Sequence, residues 1–503
     1  MKFVQRTVLI VLMSLVAIGT VTARGAREQV VGDRLVVGQT LDATSLDPQK
    51  QGNMASMNIL INIFDTLVWR DPQGNLIPSL ATEWRAIDDY TWRFTLRQGV
   101  RFHNGEYFDA HAVKFTMDRI MDPATASPIA ELRHLVAANV IDTYTIDLVT
   151  DGPDPIMPAR LVLFGGVIMP PRHVTQNTAE YVARNPVGTG PYRFVSWHRD
   201  SHVTLEAFDD HWRGPPPFRH LVFRIVPSWA DMSAGLRTGE IHLAQGVPAD
   251  LHTELRASPN INLLSAPWIQ TAFISIDTAV PPLNIREVRQ AMNYAVDVQT
   301  IIDTLLGGNA HQVSTIIPRQ NFGFDPNIPP FPYNPARARQ LLAQAGVPNG
   351  FEVTFDANAL AITTIMAIVS YLEAVGIRVN INMMDFATLS QRMAAGTASP
   401  LYFSTNTGWT MDALSNYQSF AHRERRFARG GTDELDALVI FQETTIDPAA
   451  RQRAFTRAQE IMREEAFFIY LWQANNVIAV NSGVDFTPTV IGIWWMFNAR
   501  PAR

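Results

Sequence analysis

The sequence predicts an α/β protein with two or three domains. Its 503 residues are enough to bury large cores, and 47% of them are hydrophobic while 17% are charged, as in globular proteins. Short strand patterns, separated by glycine and proline, dominate from residue 34 to about residue 267. After residue 270, strand and helix patterns alternate, which indicates a sheet joined by crossover helices.

The N-terminal segment has the pattern of a secretory signal peptide. Lys2 and Arg6 provide the positive charge, residues 7–18 form an apolar core, and Ala23 ends a small-residue cleavage site. The apolar core is too short to cross a bilayer as a helix, which takes about 20 residues. We therefore expect that residues 1–23 are a cleaved signal peptide and that the protein is secreted.

Cysteine is absent from the chain, and the net charge is mildly negative. Without cysteine there are no disulfides, thiolate metal sites or cysteine nucleophiles, and no residue can carry the lipid of a bacterial lipoprotein. The 41 basic and 47 acidic residues give a net charge of −6. This balance, without any run of Lys or Arg, argues against nucleic acid and anionic membranes as partners. We expect a free protein in a Gram-negative periplasm.

Residues 76–120 predict a strand, a tight turn, a second strand and a helix. Hydrophobic and polar residues alternate over residues 92–97, as in a half-buried strand. Asn104-Gly105 is a turn dipeptide, because both residues tolerate positive φ. Asp109 is placed to cap the helix that follows.

The second half of the chain carries complete helix signals. Asn334 is a helix cap, Pro335 occupies the first turn, and Gly346 lies just past the end. Another helix is predicted over residues 363–375, and it leads into a strand at residues 377–381. Such helix–strand alternation is the pattern of a sheet with crossover connections.

Residues 76–119 also match a long family motif nearly position for position. The match includes the segments LIPSLATEW and LRQGVRFHNGEYFDAHAV. This stretch resembles the family 5 solute-binding proteins of ABC importers, which bind oligopeptides, dipeptides, nickel complexes and some sugars. Further blocks that resemble the family lie at residues 187–214 and 281–308, and the resemblance runs from about Leu35 to the C-terminus.

The resemblance implies an α/β bilobal clamshell, a type II-like periplasmic-binding-protein fold with the extra family 5 subdomain. Lobe I would comprise residues 24–268, including the extra subdomain at about residues 65–185. Lobe II would comprise residues 269–481, and residues 482–503 would return to lobe I. The chain crossings between the lobes would form the hinge.

The resemblance also implies a periplasmic binding protein with neither cofactor nor enzymatic activity. It would act as a monomer, close its hinge on a peptide or peptide-like small molecule, and deliver this ligand to an ABC permease with ATPase subunits. The rivals are a binding protein for an opine, oligosaccharide or metal chelate, a sensory binding protein that docks on a receptor, and a secreted acidic hydrolase. No Gly-x-Ser-x-Gly, His-Glu-x-x-His or Walker-type motif supports an enzyme.

The segment Gly408-Trp409-Thr410-Met411-Asp412 resembles a stretch of the peptide-binding relatives. There the Asp takes the ligand's α-ammonium group and the Trp lines a side-chain pocket. An ammonium in a dry cleft needs an ionised partner, because leaving it unpaired costs several kcal/mol. The alternative is a Trp packed at a strand end and an exposed Asp that caps a helix.

Other aromatic side chains are expected near the cleft. Trp268, Trp494 and Trp495 are candidates for surfaces that stack on sugars or side chains, and the alternative for each is an ordinary place in the core. His198 and His202 have a metal-ligand spacing only if they lie on a helix, but they flank a predicted hairpin turn. We therefore expect no metal site.

Two departures from the family pattern concern the ligand. Asp412 is followed by residues 413–417 (ALSNY) instead of the acidic run of the peptide-binding relatives. Residues 356–360 (DANAL) lack the Arg with which dipeptide-specific relatives bind the ligand carboxylate. Specific dipeptide binding is therefore disfavoured, and a longer peptide, a modified thiol tripeptide, an opine or a sugar stays open.

Overall fold

The computed structural model describes residues 32–425 and 427–502, apart from the side chain of Leu360. The predicted signal peptide, residues 1–23, lies outside the described residues. Within the described ranges, no helix is both long and apolar enough to cross a membrane.

The strands, in chain order, are β1 (Arg34–Gln39), β2 (Val68–Arg70), β3 (Leu76–Pro78), β4 (Ala81–Ala86), β5 (Thr91–Leu96), β6 (Leu135–Asp142), β7 (Thr145–Thr150), β8 (Tyr192–His198), β9 (His202–Ala207), β10 (His220–Ile225), β11 (Leu243–Gln245), β12 (Ile261–Ile276), β13 (Ala310–Gln312), β14 (Phe351–Asn358), β15 (Ile377–Met384), β16 (Leu401–Thr407), β17 (Phe468–Asn481), β18 (Val484–Phe486) and β19 (Ala499–Pro501).

The α-helices, in chain order, are α1 (Met54–Ile63), α2 (Ala110–Met121), α3 (Met157–Arg160), α4 (Pro171–Thr175), α5 (Ala179–Arg184), α6 (Trp229–Thr238), α7 (His252–Arg256), α8 (Arg286–Ala295), α9 (Val298–Leu305), α10 (Pro335–Gln344), α11 (Ile362–Glu373), α12 (Phe386–Ala394), α13 (Ala413–Phe420), α14 (Asp433–Thr444) and α15 (Pro448–Glu465).

One mixed sheet runs through both lobes. Its strand order is β15-β14-β16-β12-β17-β11-β1-β10-β9-β8, and β13 also pairs with β17. With the lobe bounds expected from the sequence, β1 and β8 to β11 fall in lobe I, whereas β14 to β16 fall in lobe II. Between these groups, β12 and β17 pair with each other antiparallel, from Ile261 opposite Asn481 to Ser275 opposite Phe468. These two long strands therefore connect the lobes.

The pairing of β12 with β17 has a wide irregularity near its middle. Pro267 lies opposite Asn475 and Thr271 lies opposite Gln473, so that residues 268–270 face a single residue of β17. A bulge of this kind disrupts the ladder locally and bends the strand. The connection between the lobes is therefore bent at residues 268–270.

Buried hydrophobic residues form distinct cores in the two lobes. In lobe I, β1, β10 and α1 share one core with the extra subdomain and the C-terminal segment. In lobe II, one core lies between the sheet and α8 to α11, and another surrounds α13, α14 and α15. The burial of these apolar faces is the main force that holds each lobe together.

The family-like motif contains β4 and β5, which join β7 and β6 in a four-stranded sheet of order β4-β5-β7-β6, and it continues into α2. On β5, Phe94 and Leu96 are buried, as their alternation with polar residues predicts. The carboxylate of Asp109 accepts hydrogen bonds from the backbone N–H groups of His111 and Ala112, at 2.9 and 3.0 Å. The predicted strand and helix cap are thus confirmed.

The final residue of the motif, Arg119, forms an ion pair with Asp47, which lies in the segment after β1. Its Nη2 is 2.6 Å from Oδ2 of Asp47, and its Nη1 is 3.1 Å from Oδ1. The Asp47 side chain is fully buried. The pair therefore fixes α2 of the subdomain to the first strand connection of lobe I.

The predicted helices of lobe II are present with small shifts. Asn334 caps α10 by accepting the N–H of Arg337 at 2.9 Å, and Pro335 is its first residue. The helix predicted over residues 363–375 is α11, which ends at Glu373. The chain then turns through Gly376, at φ +98°, into β15.

The two lobes touch along the extra subdomain. Ile156 and Ala159, at and beside α3, are buried in the lobe II core around α13 to α15. The Arg70 guanidinium donates hydrogen bonds to the carbonyl oxygens of Gly74 and of Thr410 in lobe II. The segment expected to form the extra subdomain therefore contacts the predicted lobe II.

Candidate ligand-binding site

A cavity of about 300 Å³ lies where β1 and α1 of lobe I meet the connecting strands. This volume is at the lower end of the range for small-molecule sites. The lining contains no ionisable side chain and consists of Gly38, Gln39, Thr40, Leu41, Ala55, Asn58, Trp229, Met232, Gln245, Gly246, Trp268, Asn476 and Trp494.

Four buried polar atoms of this lining have no hydrogen-bond partner among the described residues. They are the side-chain carbonyl oxygens of Gln39 and Asn58 and the indole nitrogens of Trp268 and Trp494. Buried polar groups in folded proteins almost always find a partner, and an unpaired one costs about 1–3 kcal/mol. All four atoms are themselves closed to solvent.

The backbone around the cavity is held by side-chain amides. On α1, Asn62 donates from Nδ2 to the carbonyl oxygen of Trp494 at 2.8 Å and accepts the N–H of Met496 at 2.8 Å. On the opposite side, Nδ2 of Asn476 donates to Oε1 of Gln245 at 3.0 Å. These bonds fix the C-terminal segment and β17 against lobe I, and so they fix the shape of the cavity.

Two of the predicted site residues, Trp268 and Trp494, lie in this cavity. Trp494 is buried and stacks on Phe223, with ring centroids 6.4 Å apart. Trp268 lies against Gly492, where φ is +69° and a Cβ atom would come within 2.8 Å of the Trp268 indole nitrogen. The glycine therefore leaves the room that the indole occupies.

Trp495 has the alternative role, a place in the core. Its ring stacks on Phe497 with centroids 5.1 Å apart, and it also contacts Trp69 at 5.2 Å. Its side chain is buried in the lobe I core. In this segment, Trp494 therefore lines the cavity, whereas its neighbour Trp495 packs in the core.

Gly408 and Trp409 lie beside the hinge, but neither lines the cavity. The N–H of Gly408 donates to the carbonyl oxygen of Ile269 at 3.1 Å. A Cβ atom at Gly408 would lie 2.3 Å from Nδ2 of Asn321, so only glycine fits there without a shift. Trp409 is half-buried and packs against the lobe I core. Their expected contact with a ligand stays a prediction.

Asp412 lies in an internal ion pair that the sequence did not reveal. Its Oδ1 and Oδ2 accept hydrogen bonds from Nη2 and Nη1 of Arg451 at 2.7 and 2.9 Å, and both side chains are buried. Its Oδ1 also accepts the N–H of Leu414 at 2.9 Å and so caps α13. The carboxylate is therefore neither exposed nor free, and its role toward a ligand ammonium stays a prediction.

A second guanidinium lies near this pair. Burial lowers the pKa of Arg70 to about 10, against the opposing effect of the Asp412 and Asp71 carboxylates. Arg70 thus keeps its charge at neutral pH. The buried Asp412 carboxylate is therefore near two guanidinium groups, those of Arg451 and Arg70.

The histidines singled out from the sequence lie at a turn. His198 ends β8 and His202 begins β9, and their rings are 4.8 Å apart across the hairpin. Throughout the described part of the chain, no group of three or more His, Asp or Glu side chains is arranged to hold a metal ion.

Sequence reasoning missed the amide side chains of the cavity: Gln39, Asn58, Gln245 and Asn476. A signal for part of this set was present, since Asn58 and Asn62 are four residues apart in the otherwise apolar helix α1. Two amides on one face of such a helix need polar partners. The other amides carry no local signal, because they come from distant parts of the chain.

Comparison with known proteins gives the same family throughout. The sequence model of "Bacterial extracellular solute-binding proteins, family 5 Middle" matches residues 75–427, well over half of the chain. The glutathione-binding protein GsiB of Pectobacterium atrosepticum is 28% identical over 464 residues, which cover 89% of each chain. The family resemblance expected from the sequence is confirmed.

Two solved structures extend the comparison to the fold. The periplasmic binding protein DppA of Helicobacter pylori, in complex with the peptide STSA, superposes with a TM-score of 0.80 at 26% identity, covering 94% of this chain and 98% of DppA. The substrate-binding protein CtaP of Listeria monocytogenes gives a TM-score of 0.85 at 20% identity, covering 94% and 100%. The α/β bilobal fold is confirmed, and the chain belongs to the bacterial extracellular solute-binding proteins of family 5.

Proposed function

We propose that this protein is the periplasmic substrate-binding component of an ABC importer for peptides or peptide-like solutes. The relative GsiB is a glutathione-binding protein, and the structural neighbour DppA binds a peptide. Both share nearly the whole length of this chain. The ligand enters between the lobes, and the cavity beside Trp268 and Trp494 receives part of it.

The observation that carries this proposal is the cavity, whose lining of amide and indole side chains comes from lobe I, the connecting strands and the C-terminal segment. Gln39 and Asn58 come from lobe I, Trp268 from a connecting strand and Trp494 from the C-terminal segment. A ligand in this cavity must form hydrogen bonds with the amide side chains of its lining. Peptide groups can do so, because each carries one donor and one acceptor.

Ligand binding at this place is coupled to the hinge. A molecule that touches lobe I and the bent part of β12 stabilises the arrangement in which both surfaces face it. Such a ligand shifts the equilibrium between open and closed forms by its difference in affinity for them. We propose that the permease, with its two ATPase subunits, recognises the closed form, that a single copy of the chain suffices, and that no cofactor or catalytic step takes part.

We expect binding to depend on Trp268. Titration calorimetry and melting temperature should identify a ligand among glutathione and di-, tri- and tetrapeptides, with an agropinic acid sample and maltotriose as the other solute classes. For the best binder, Trp268→Ala should lower the affinity by about 2 kcal/mol, roughly thirtyfold, as for a buried aromatic contact. Trp92→Ala is the control, because that indole donates to Asp154 in the subdomain, away from the cavity.

Two results would contradict the proposal. One is the absence of binding by every peptide and by glutathione at millimolar concentration, particularly if the opine or the sugar binds. The other is an unchanged affinity in Trp268→Ala for a peptide that binds the wild-type protein, since the ligand would then lie elsewhere.

The role predicted for Asp412 can be tested in the same titrations. If Asp412 takes a ligand ammonium, Asp412→Asn should lose about 3–5 kcal/mol of binding free energy, and N-acetylation of the peptide should add nothing further. If the carboxylate serves Arg451 alone, free and acetylated peptides should respond equally to the substitution. The second outcome would remove Asp412 from the site and keep it as a structural residue.

A further inference from the structure

A contact between two distant parts of the chain lies beside the bend in β12. One side is the β2–β3 hairpin, residues 68–78, and the other is the loop of residues 408–412 that follows β16. The loop begins at Gly408, whose N–H donates to the carbonyl oxygen of Ile269 in the bend at 3.1 Å. With the lobe bounds expected from the sequence, the hairpin falls in the extra subdomain and the loop in lobe II. The contact therefore joins the two lobes through side chains rather than through the chain itself.

Apolar side chains are exchanged between the two sides. Met411 is buried and belongs to the lobe I core, where a Cβ atom at Gly74 would come within 2.5 Å of its sulfur. In the opposite direction, Ile156 is buried in the core around α13 to α15. Leu76 of the hairpin packs against both cores. Separation of the two sides would expose these apolar surfaces to water, so their burial favours the contact.

The backbone on both sides is shaped for this insertion. Met411 has φ +50°, in the left-handed region that residues with a side chain seldom adopt. Its N–H donates to the carbonyl oxygen of Gly408 at 2.8 Å, and its own carbonyl oxygen accepts the N–H of Phe322 at 2.9 Å. On the hairpin, Gly74 has φ +97° and leaves the space that the methionine fills. Strained residues persist where the surrounding structure holds them, and here the strain aims a methionine at a glycine.

Two other features oppose the contact. The buried Arg70 guanidinium donates hydrogen bonds to the carbonyl oxygens of Gly74 and Thr410 rather than to a carboxylate, so the burial of its charge is only partly compensated. Further along, a cavity of about 160 Å³ remains between the two sides, with His134 on one wall and Glu443 on the other. Atoms that face a gap lose packing contacts. Apolar burial and charge burial therefore act in opposite directions at this contact.

We propose that the hairpin and the loop form a reversible latch, which keeps a fraction of the molecules closed in the absence of ligand and separates when the lobes open. The exchanged apolar side chains favour the closed form, and the buried guanidinium limits how strongly they do so. A ligand that requires the closed form then binds with an apparent affinity that rises with the fraction already closed. The latch does not depend on which solute the protein binds.

Loss of one exchanged side chain from either side tests the latch. Met411→Ala and Ile156→Ala should each lower the ratio of closed to open molecules about tenfold, as for part of a buried apolar side chain. Without ligand, the radius of gyration from small-angle scattering should increase. Backbone amides of residues 68–78 and 408–412 should both exchange hydrogen about tenfold faster, a readout that also detects a rare open form. Alanine leaves the strain at position 411 unchanged, since both residues carry a Cβ atom.

Met292→Ala is the matched control. It removes the same side chain as Met411→Ala, but from the core between the sheet and α8, away from the contact. It should lower the melting temperature while the radius of gyration and the exchange of both segments stay near the wild-type values. The comparison separates opening from a general loss of stability.

Three results would overturn the latch, provided that circular dichroism shows folded variants. The first is an unchanged radius and unchanged exchange in both Met411→Ala and Ile156→Ala. The second is faster exchange in only one of the two segments, because the sides would then not separate together. The third is an equal response in Met292→Ala. All these measurements are made without ligand, so their failure would leave the proposed function standing, and an absence of peptide binding would leave the latch standing.

Discussion

Replacing Arg451 by methionine should lower the free energy of unfolding by about 3–5 kcal/mol. The substitution removes the hydrogen-bonded partner of the buried Asp412 carboxylate and leaves it the N–H of Leu414 and the nearby charge of Arg70. The methionine fills similar space between the rings of Phe322 and Phe455, which lie 5.3 and 5.2 Å from the guanidinium carbon. Urea unfolding followed by circular dichroism measures the loss as a shift in the transition midpoint.

Two further variants show that the unpaired charge causes the loss. Arg457→Met removes an arginine from the same helix, α15, where the partner Glu434 is exposed, and it should unfold close to the wild-type midpoint. The double variant Asp412→Asn, Arg451→Met removes both charges and keeps an acceptor for the cap of α13. It should regain most of the stability. A double variant as unstable as Arg451→Met would refute this explanation.

Replacing Arg119 by methionine should have a comparable effect in lobe I, about 3–5 kcal/mol. Asp47 is fully buried, and Arg119 supplies two of its hydrogen bonds and also bonds Oε1 of Gln49 at 2.6 Å. The same unfolding experiment, with melting temperature as a check, measures the loss.

Lys114→Met provides the control for Arg119→Met. It removes a cation from the same helix, where the pair of Lys114 with Asp118 is exposed on both sides. Its midpoint should stay near that of the wild-type protein. If Arg119→Met were equally mild, then the ion pair would not be what fixes the subdomain to lobe I.

Much of the fold could be predicted because its signals are local. Asp109 and Asn334 each lie within three residues of the N–H groups that they cap, and the alternation that defines β5 is contained in six residues. The resemblance to the family also predicted how such segments are joined into the two lobes. The unbroken sheet through both lobes had no such signal, because β12 and β17 are about two hundred residues apart in the chain.

The site was predicted only in part for the same reason. Trp268 and Trp494 could be singled out as large aromatic residues near the expected cleft, and both line the cavity. Nothing near Asp412 in the sequence indicates Arg451, which lies 39 residues and two helices further along the chain, so the carboxylate was expected to be free. Likewise, Gln39 and Asn58 acquire their role only when β1 and α1 are packed against the C-terminal segment.

The bend in β12 and the wall of the cavity share residues. Residues 268–270 are released from regular pairing with β17, and Trp268, the first of them, faces the cavity. The bend between the lobes and a wall of the cavity are thus formed by the same short piece of backbone. If the ligand occupies this cavity as proposed, it contacts the bend directly, and its effect on the angle between the lobes needs no intervening side chains.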